Sequence, residues 1–162
     1  MIRCFLVLVV SAVGLISCTE TPKSEENKDQ VEVKNTIGPR VDIGESGHTI
    51  QLLPGYIIEK QNSETFEVYY FKPADSTLSE NEAGIYFGPR PDTSAPSIEY
   101  TKKVFPGTFM GNTVTWTEYT TEKYTQREVF IDQGPEQKIH CWCYSHDPLL
   151  LNKLWEMVKT VQ

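Results

Sequence analysis

The chain is poor in basic residues: 15 lysines and arginines stand against 22 aspartates and glutamates, a formal net charge of −7. A general nucleic-acid binder needs a basic surface, and so does adhesion to anionic lipid, so this balance excludes both roles for the folded part. Only 39% of the residues are apolar, which is low for a membrane-spanning protein but sufficient for a soluble core. Phosphate-binding loops, dinucleotide fingerprints, zinc-protease motifs and EF-hand loops are absent from the sequence. A chain of 162 residues fits one domain of ordinary size.

A strongly apolar stretch begins at Cys4, after the single positive charge of Arg3. It is too short and wrongly flanked for a bilayer span, which takes about 20 apolar residues. It ends in Leu-Ile-Ser-Cys at positions 15–18, which resembles the lipobox of bacterial lipoproteins. The resemblance implies a signal peptide over residues 1–17, a diacylglycerol on the sulfur of Cys18, cleavage before that cysteine, and acylation (palmitate, for example) of the new amino terminus. The alternative is an ordinary secretory cleavage near Cys18.

The residues that follow Cys18 bear on localisation. Thr19, in place of an aspartate, resembles the outer-membrane address of the enterobacterial sorting rule, and the acidic Glu20, Glu25 and Glu26 loosely resemble the surface-export signal of Bacteroidota lipoproteins. We therefore expect a lipid-anchored protein of the cell envelope, in the outer rather than the inner membrane, with the side it faces left open. Residues 19–36 contain eight charges and no aromatic residue, so 18–36 is predicted to be the lipidated cysteine and a disordered tether.

Residues 37–162 are predicted to form a single globular domain, because every aromatic residue except Phe5 lies after position 55. Apolar residues alternate with polar ones between turn residues, which predicts strands at 49–53, 56–59, 65–72, 84–88, 100–110, 113–119, 124–131 and 138–144. The strand at 65–72 is apolar on both sides, which favours a central position covered on both faces. Pro106-Gly107 separates the apolar runs at 100–105 and 108–110, which indicates either an edge strand or an interrupted strand.

The carboxyl terminus changes to helical periodicity. Asp147 and Pro148 supply an N-cap and a proline at the first helical position, and a broad apolar stripe follows at Leu150, Leu151, Leu154, Trp155, Val158 and Val161. The predicted fold class is α+β: an antiparallel sheet of about six to eight strands with a C-terminal helix packed across it.

The extended strands, the Gly-Ile-Tyr-Phe-Gly segment at 84–88, and a last strand that leads directly into a closing helix resemble small PsbP-like domains. The resemblance covers the pattern of residues 49–162 and includes no diagnostic motif. That superfamily contains many exported bacterial lipoproteins and is mainly non-enzymatic. The resemblance therefore implies a binding or assembly role.

Potential metal ligands are concentrated in the segment 140–146, which includes Cys141, Cys143 and His146. In a strand the two cysteines point to one face together with Ile139, whereas His140 points to the other, so only His146 could join them around an ion. Cβ vectors two residues apart in a strand are nearly parallel, which makes a disulfide strained. Buried reduced thiols are the favoured interpretation, and a strained disulfide and a metal site are the alternatives.

Other residue types that occur in catalytic or binding sites have simpler interpretations. Asp42, Ser46 and His48 have the residue types of a hydrolytic triad. They share one glycine-rich segment without the sequence of a nucleophile elbow, so a turn is the favoured interpretation. Solvated strand faces explain the carboxylates Glu118, Glu122 and Glu128, and also the threonine row Thr113, Thr115 and Thr117, which is otherwise a candidate surface for a glycan.

Arg90, held between two prolines, is the preferred contact residue for a ligand or partner, because a stiff loop loses little entropy on binding, and the nearby Tyr86 is the second predicted contact residue. The sequence predicts a non-catalytic envelope lipoprotein that binds the membrane through its Cys18 lipid. Its folded domain is expected to bind an envelope protein, a glycan or a small ligand, with no nucleic acid and no cofactor. The alternative is an envelope metal-handling protein that uses Cys141, Cys143 and His146. An enzyme is not expected.

Overall fold

The computed structural model describes residues 37–75, 83–91 and 95–162. The signal peptide, Cys18 and the tether predicted at 18–36 lie outside the described residues. Within the described ranges the chain forms nine strands and one helix: β1 Arg40–Ile43, β2 His48–Gln51, β3 Tyr56–Asn62, β4 Glu67–Pro73, β5 Ala83–Gly88, β6 Tyr100–Phe109, β7 Asn112–Thr121, β8 Thr125–Asp132, β9 Lys138–Ser145 and α1 Pro148–Val158.

Seven strands form one antiparallel sheet in the order β3-β4-β5-β9-β8-β7-β6, and β1 and β2 form a separate antiparallel pair. The helix packs across the large sheet, mainly on β9. The α+β prediction is confirmed. No helix within the described residues is long and apolar enough to span a membrane.

The helix begins where the sequence predicts. The Asp147 side chain accepts a hydrogen bond of 2.8 Å from the backbone N–H of Leu149. Pro148 lies in the first turn, where a backbone N–H has no partner within the helix, so a proline is tolerated there. Leu151, Leu154 and Val158 of the predicted stripe are buried, and Met157 joins them. This stripe closes the core because it lies against the apolar side of β9.

Alternation along each strand divides the large sheet into two faces. We call the side that carries α1 the helix face, and the opposite side the open face. Ile85, Val129, Ile139, Cys141 and Cys143 lie on the helix face, within the main core. The open face carries the alternate residues of the same strands, among them Tyr86 of β5, Glu128 of β8 and Trp142 of β9.

Two strand predictions can be compared with the sheet order. The strand with Pro106 is indeed at an edge, since β6 has only β7 as a neighbour, and it runs through the proline without interruption. The strand predicted at 65–72 is β4, which is internal as expected. The expectation that a second layer covers its other face is wrong within the described residues: Val68 on the open face is buried among neighbouring side chains, with no helix over it.

The segment around Asp42, Ser46 and His48 is the hairpin of β1 and β2. The Ser46 hydroxyl donates to the carbonyl of Ile43 at 2.6 Å, and the His48 ring stacks on Phe87 with centroids 5.0 Å apart. The hairpin is joined to the chain end, because the backbones of Thr49 and Gln162 exchange two hydrogen bonds. The turn interpretation is confirmed, and these three residues do not form a catalytic arrangement.

Candidate functional site

A cleft of about 310 Å³ opens on the open face of the sheet. Its lining comes from β4, β5, β8 and β9, which are adjacent in the sheet: Val68, Tyr70, Tyr86, Gln126, Glu128, His140, Trp142 and Tyr144. Small-molecule sites in proteins are typically apolar and aromatic hollows of roughly 300–1,000 Å³ with a few polar groups that fix orientation. The cleft has this composition and reaches the lower end of this size range.

Glu128 and His140 form a buried polar pair inside the cleft. The Oε2 atom of Glu128 lies 3.1 Å from Nε2 of His140, and the two side chains are only 3% and 10% exposed. Gln126 donates a second hydrogen bond to the same oxygen at 3.1 Å. Because an ionised carboxylate can only accept hydrogen bonds, Nε2 of His140 carries the hydrogen when Glu128 is charged.

Tyr119 of β7 is a further partner of Glu128. Burial raises the pKa of the Tyr119 phenol, and the nearby charge of Glu128 raises this pKa further. The phenol therefore stays protonated beside the carboxylate. The hydrogen bonds that Glu128 accepts from Gln126 and His140 offset part of the cost of burying its charge.

Aromatic rings hold His140 in place. Its ring stacks on Phe130 with centroids 4.1 Å apart and planes 11° apart, and it lies against Trp142 at 5.1 Å. Trp142 in turn meets Tyr70 edge to face, with centroids 6.0 Å apart and planes 74° apart. Two nearly perpendicular rings therefore border the same cleft beside a fixed carboxylate.

Two glycines of β5 make room for these rings. A Cβ atom on Gly84 would lie 2.5 Å from Cζ2 of Trp142, and a Cβ on Gly88 would lie 2.5 Å from the hydroxyl of Tyr86. Both distances are too short for real contacts, so a side chain at either position would displace a ring. The spacing Gly84-Tyr86-Gly88 places all three on the open face, because strand residues alternate between faces. This segment is the local sequence signal for the cleft.

The two residues predicted to contact a ligand are placed differently. Tyr86 lines the cleft and is 8% exposed. Arg90 is exposed, and its backbone N–H donates to the Tyr86 hydroxyl at 3.1 Å. Arg90 therefore orients Tyr86 through its backbone.

The predicted metal ligands do not come together. Cys141 and Cys143 are free thiols with no exposed surface on the helix face, whereas His146 is exposed beyond β9, against the ring of Tyr124 and the carbonyl of Lys123. Across the described ranges, no group of three His, Cys, Asp or Glu side chains is placed to hold an ion. Burial raises the pKa of Cys141 well above its usual value, and it raises that of Cys143 to about 12, so neither is a ready thiolate ligand.

The sequence interpretation of the acidic residues is wrong for Glu128. Glu122 is exposed and Glu118 pairs with Arg127 at 2.8 Å, but Glu128 is buried because Tyr119 and the aromatic cleft cover it. Thr113 and Thr115 are exposed, as a wet strand face predicts, whereas Thr117 is half-buried and pairs with Glu128 across the strands. The sequence analysis therefore missed three residues of the cleft: Gln126, Glu128 and His140. Polar residues at alternate positions of a strand are typical of a solvent-exposed face, so the pattern did not indicate their burial.

Comparisons with protein-family models, with curated proteins and with solved structures gave no match to this chain.

Proposed function

We propose that this protein is a lipid-anchored lipoprotein of the cell envelope whose globular domain binds a small ligand in the cleft on the open face. The anchor rests on the Leu-Ile-Ser-Cys sequence at 15–18 and on the composition of the segment after it. Residues after Cys18 favour the outer membrane. The resemblance to PsbP-like domains, which implies a binding or assembly role, is a prediction that accompanies this proposal.

The cleft carries the binding part of the proposal. Aromatic surfaces on adjacent strands surround a few polar atoms in fixed positions, and this face of the sheet has no helix over it within the described residues. A binding role is favoured over catalysis because the cleft is lined by no serine, cysteine or lysine, and the carboxylate of Glu128 already accepts hydrogen bonds from its neighbours. The metal-handling alternative lacks support, since Cys141 and Cys143 lie on the other face from His146.

The lipid anchor is tested at Cys18, with Cys4 as the matched control because it lies in the same apolar stretch. Cells that express the Cys18→Ser variant are expected to accumulate unprocessed precursor that a fatty-acid probe does not label. The Cys4→Ser variant is expected to be processed and labelled normally. Labelling that persists in Cys18→Ser would contradict the anchor.

Ligand binding is tested by thermal unfolding of the full chain with the small-molecule fraction of an envelope extract from the source organism. A ligand that binds only the folded state raises the unfolding temperature. The rise is expected for the wild type and for Val104→Ala, which removes an exposed apolar side chain of β6 outside the cleft. It is expected to vanish in Trp142→Ala. An equal rise in Trp142→Ala, or none in the wild type, would contradict the proposal.

A further inference from the structure

The buried carboxylate of Glu128 has no permanently charged partner among the residues that line the cleft. Those residues include no lysine and no arginine, and His140 is the one lining side chain able to carry a positive charge. Lys72, on the open face of β4, is already bound to Glu59. A buried charge is costly unless it is paired. A cation that enters the cleft would therefore meet this carboxylate with no lysine or arginine among the lining residues.

The rings that border the cleft favour the same kind of ligand. Aromatic faces attract cations placed within about 6 Å of the ring centre, and tryptophan is the strongest of them. Trp142 and Tyr70, which meet with planes 74° apart, both line the cleft, and Tyr86 lines it as well. Perpendicular rings beside a carboxylate are suited to a compact, rounded cation.

The hydrogen bonds of Glu128 indicate which cation fits. Its Oε2 atom already accepts from Gln126 and His140. The negative charge of the Glu128 carboxylate can therefore attract a cation, while hydrogen bonds already occupy some of its acceptor positions. A primary ammonium needs acceptors for three N–H bonds, whereas a fully alkylated ammonium has none to satisfy.

A second hollow adjoins the cleft and shares Gln126 and Tyr144 with it. It measures about 350 Å³ and is also lined by Lys123, Tyr124 and His146. The lysine puts a positive charge next to a cleft whose own fixed charge is negative. A ligand that reaches both hollows can therefore pair a cation with Glu128 and an anion with Lys123.

Resting on the proposed binding function, we propose that the ligand is a zwitterion in which a fully alkylated ammonium occupies the aromatic cleft and a phosphate or similar anion reaches the hollow beside Lys123. Trp142 and Tyr70 surround the ammonium, and Glu128 neutralises its charge. The shared chemistry is that of a choline phosphate, free or as a lipid headgroup.

The test is calorimetric titration of the full chain, held in uncharged maltoside detergent, with choline and with its neutral carbon isostere, in which a tert-butyl group replaces the trimethylammonium. Choline is expected to bind about tenfold more tightly, because only the cation gains from the rings and the carboxylate. Glu128→Gln keeps the shape of the side chain and is expected to reduce this preference to the part that the rings supply. Glu45→Gln removes an equal charge from an exposed turn and is expected to preserve it.

The anionic part is tested with phosphocholine and glycerophosphocholine. Phosphocholine is expected to bind more tightly than choline, and Lys123→Gln is expected to remove that gain. Tighter binding of glycerophosphocholine than of phosphocholine would identify a lipid headgroup as the source, and the reverse order would identify the free compound.

Equal affinity for choline and the neutral isostere would overturn the ammonium proposal, and this comparison uses the wild type, so it does not depend on any variant folding. If the wild type then still shows a Trp142-dependent response to the envelope fraction, the binding function stands and the cleft takes a neutral ligand such as a glycan. If neither choline nor the fraction binds, both proposals fail.

Discussion

The indole ring of Trp142 lies against the backbone of Gly84 on the neighbouring strand, so close that a Cβ on the glycine would be 2.5 Å from the ring. The two residues are paired in register between β9 and β5, although 58 positions separate them in the sequence, from 84 to 142. This contact fixes one wall of the cleft, because Trp142 then meets His140 on one side and Tyr70 on another.

Gly84→Ala is expected to lower the free energy of unfolding by about 1–3 kcal/mol, because the added methyl group overpacks the contact with Trp142. Urea titration measures this loss. In a Trp142→Leu background the smaller side chain leaves room, so the cost of Gly84→Ala is expected to shrink. Equal costs in the two backgrounds would show that the ring is not what excludes the side chain.

Leu154→Ala is expected to lower the free energy of unfolding by about 2–5 kcal/mol, because this leucine of α1 is fully buried in the core and its loss leaves a cavity. Leu149→Ala on the same helix is the matched control, since Leu149 is 68% exposed, and it is expected to change stability by less than about 0.5 kcal/mol. Both values come from denaturant titration. Similar losses in the two variants would contradict the packing of the helix face.

Asp147→Ala is expected to destabilise the protein by about 0.5–2 kcal/mol, because it removes the acceptor for the backbone N–H of Leu149 at the start of α1. Asp147→Asn keeps a side-chain oxygen and is expected to retain most of the stability. Thermal or urea unfolding distinguishes the two. A loss in Asp147→Asn as large as that in Asp147→Ala would mean that capping is not the cause.

The buried thiols are expected to make stability fall at alkaline pH. The folded state raises the pKa of Cys143 from 9.0 to about 12 and raises that of Cys141 as well. Their contribution is complete below about pH 9 and is lost as the pH rises towards 12, because only the unfolded thiols release protons in that window.

Each thiol contributes a slope of up to about 1.4 kcal/mol per pH unit in that window. Urea titrations at several alkaline pH values measure it, and the double variant Cys141→Ala/Cys143→Ala is expected to show a shallower fall. The same fall in both proteins would assign it to other groups. Both thiols are also expected to resist a thiol reagent until the protein unfolds.

Local patterns in the sequence predicted the helix and eight of the nine described strands, and missed β1 at Arg40–Ile43. Asp147-Pro148 and the stripe that follows define the start and the buried side of α1, because capping and helical period are properties of neighbouring residues. Pro106 was compatible with the edge position of β6, since a proline has no backbone N–H to donate to a neighbouring strand. Alternation placed Cys141 and Cys143 together on the helix face and His140 and Trp142 on the other.

The order of the strands was decided only in the tertiary structure. Period-two alternation tells which face a residue occupies but not which strand lies beside it, so nothing in the sequence joined Tyr86 to His140 or Glu128 to Trp142. Glu128 has the residue type of a solvated strand position, and it is buried because residues from β7 and β9 cover it. The helix covers one face of the sheet, and side chains from four strands form the cleft on the other face. These residues are distant in the sequence, so they come together only when the sheet is assembled.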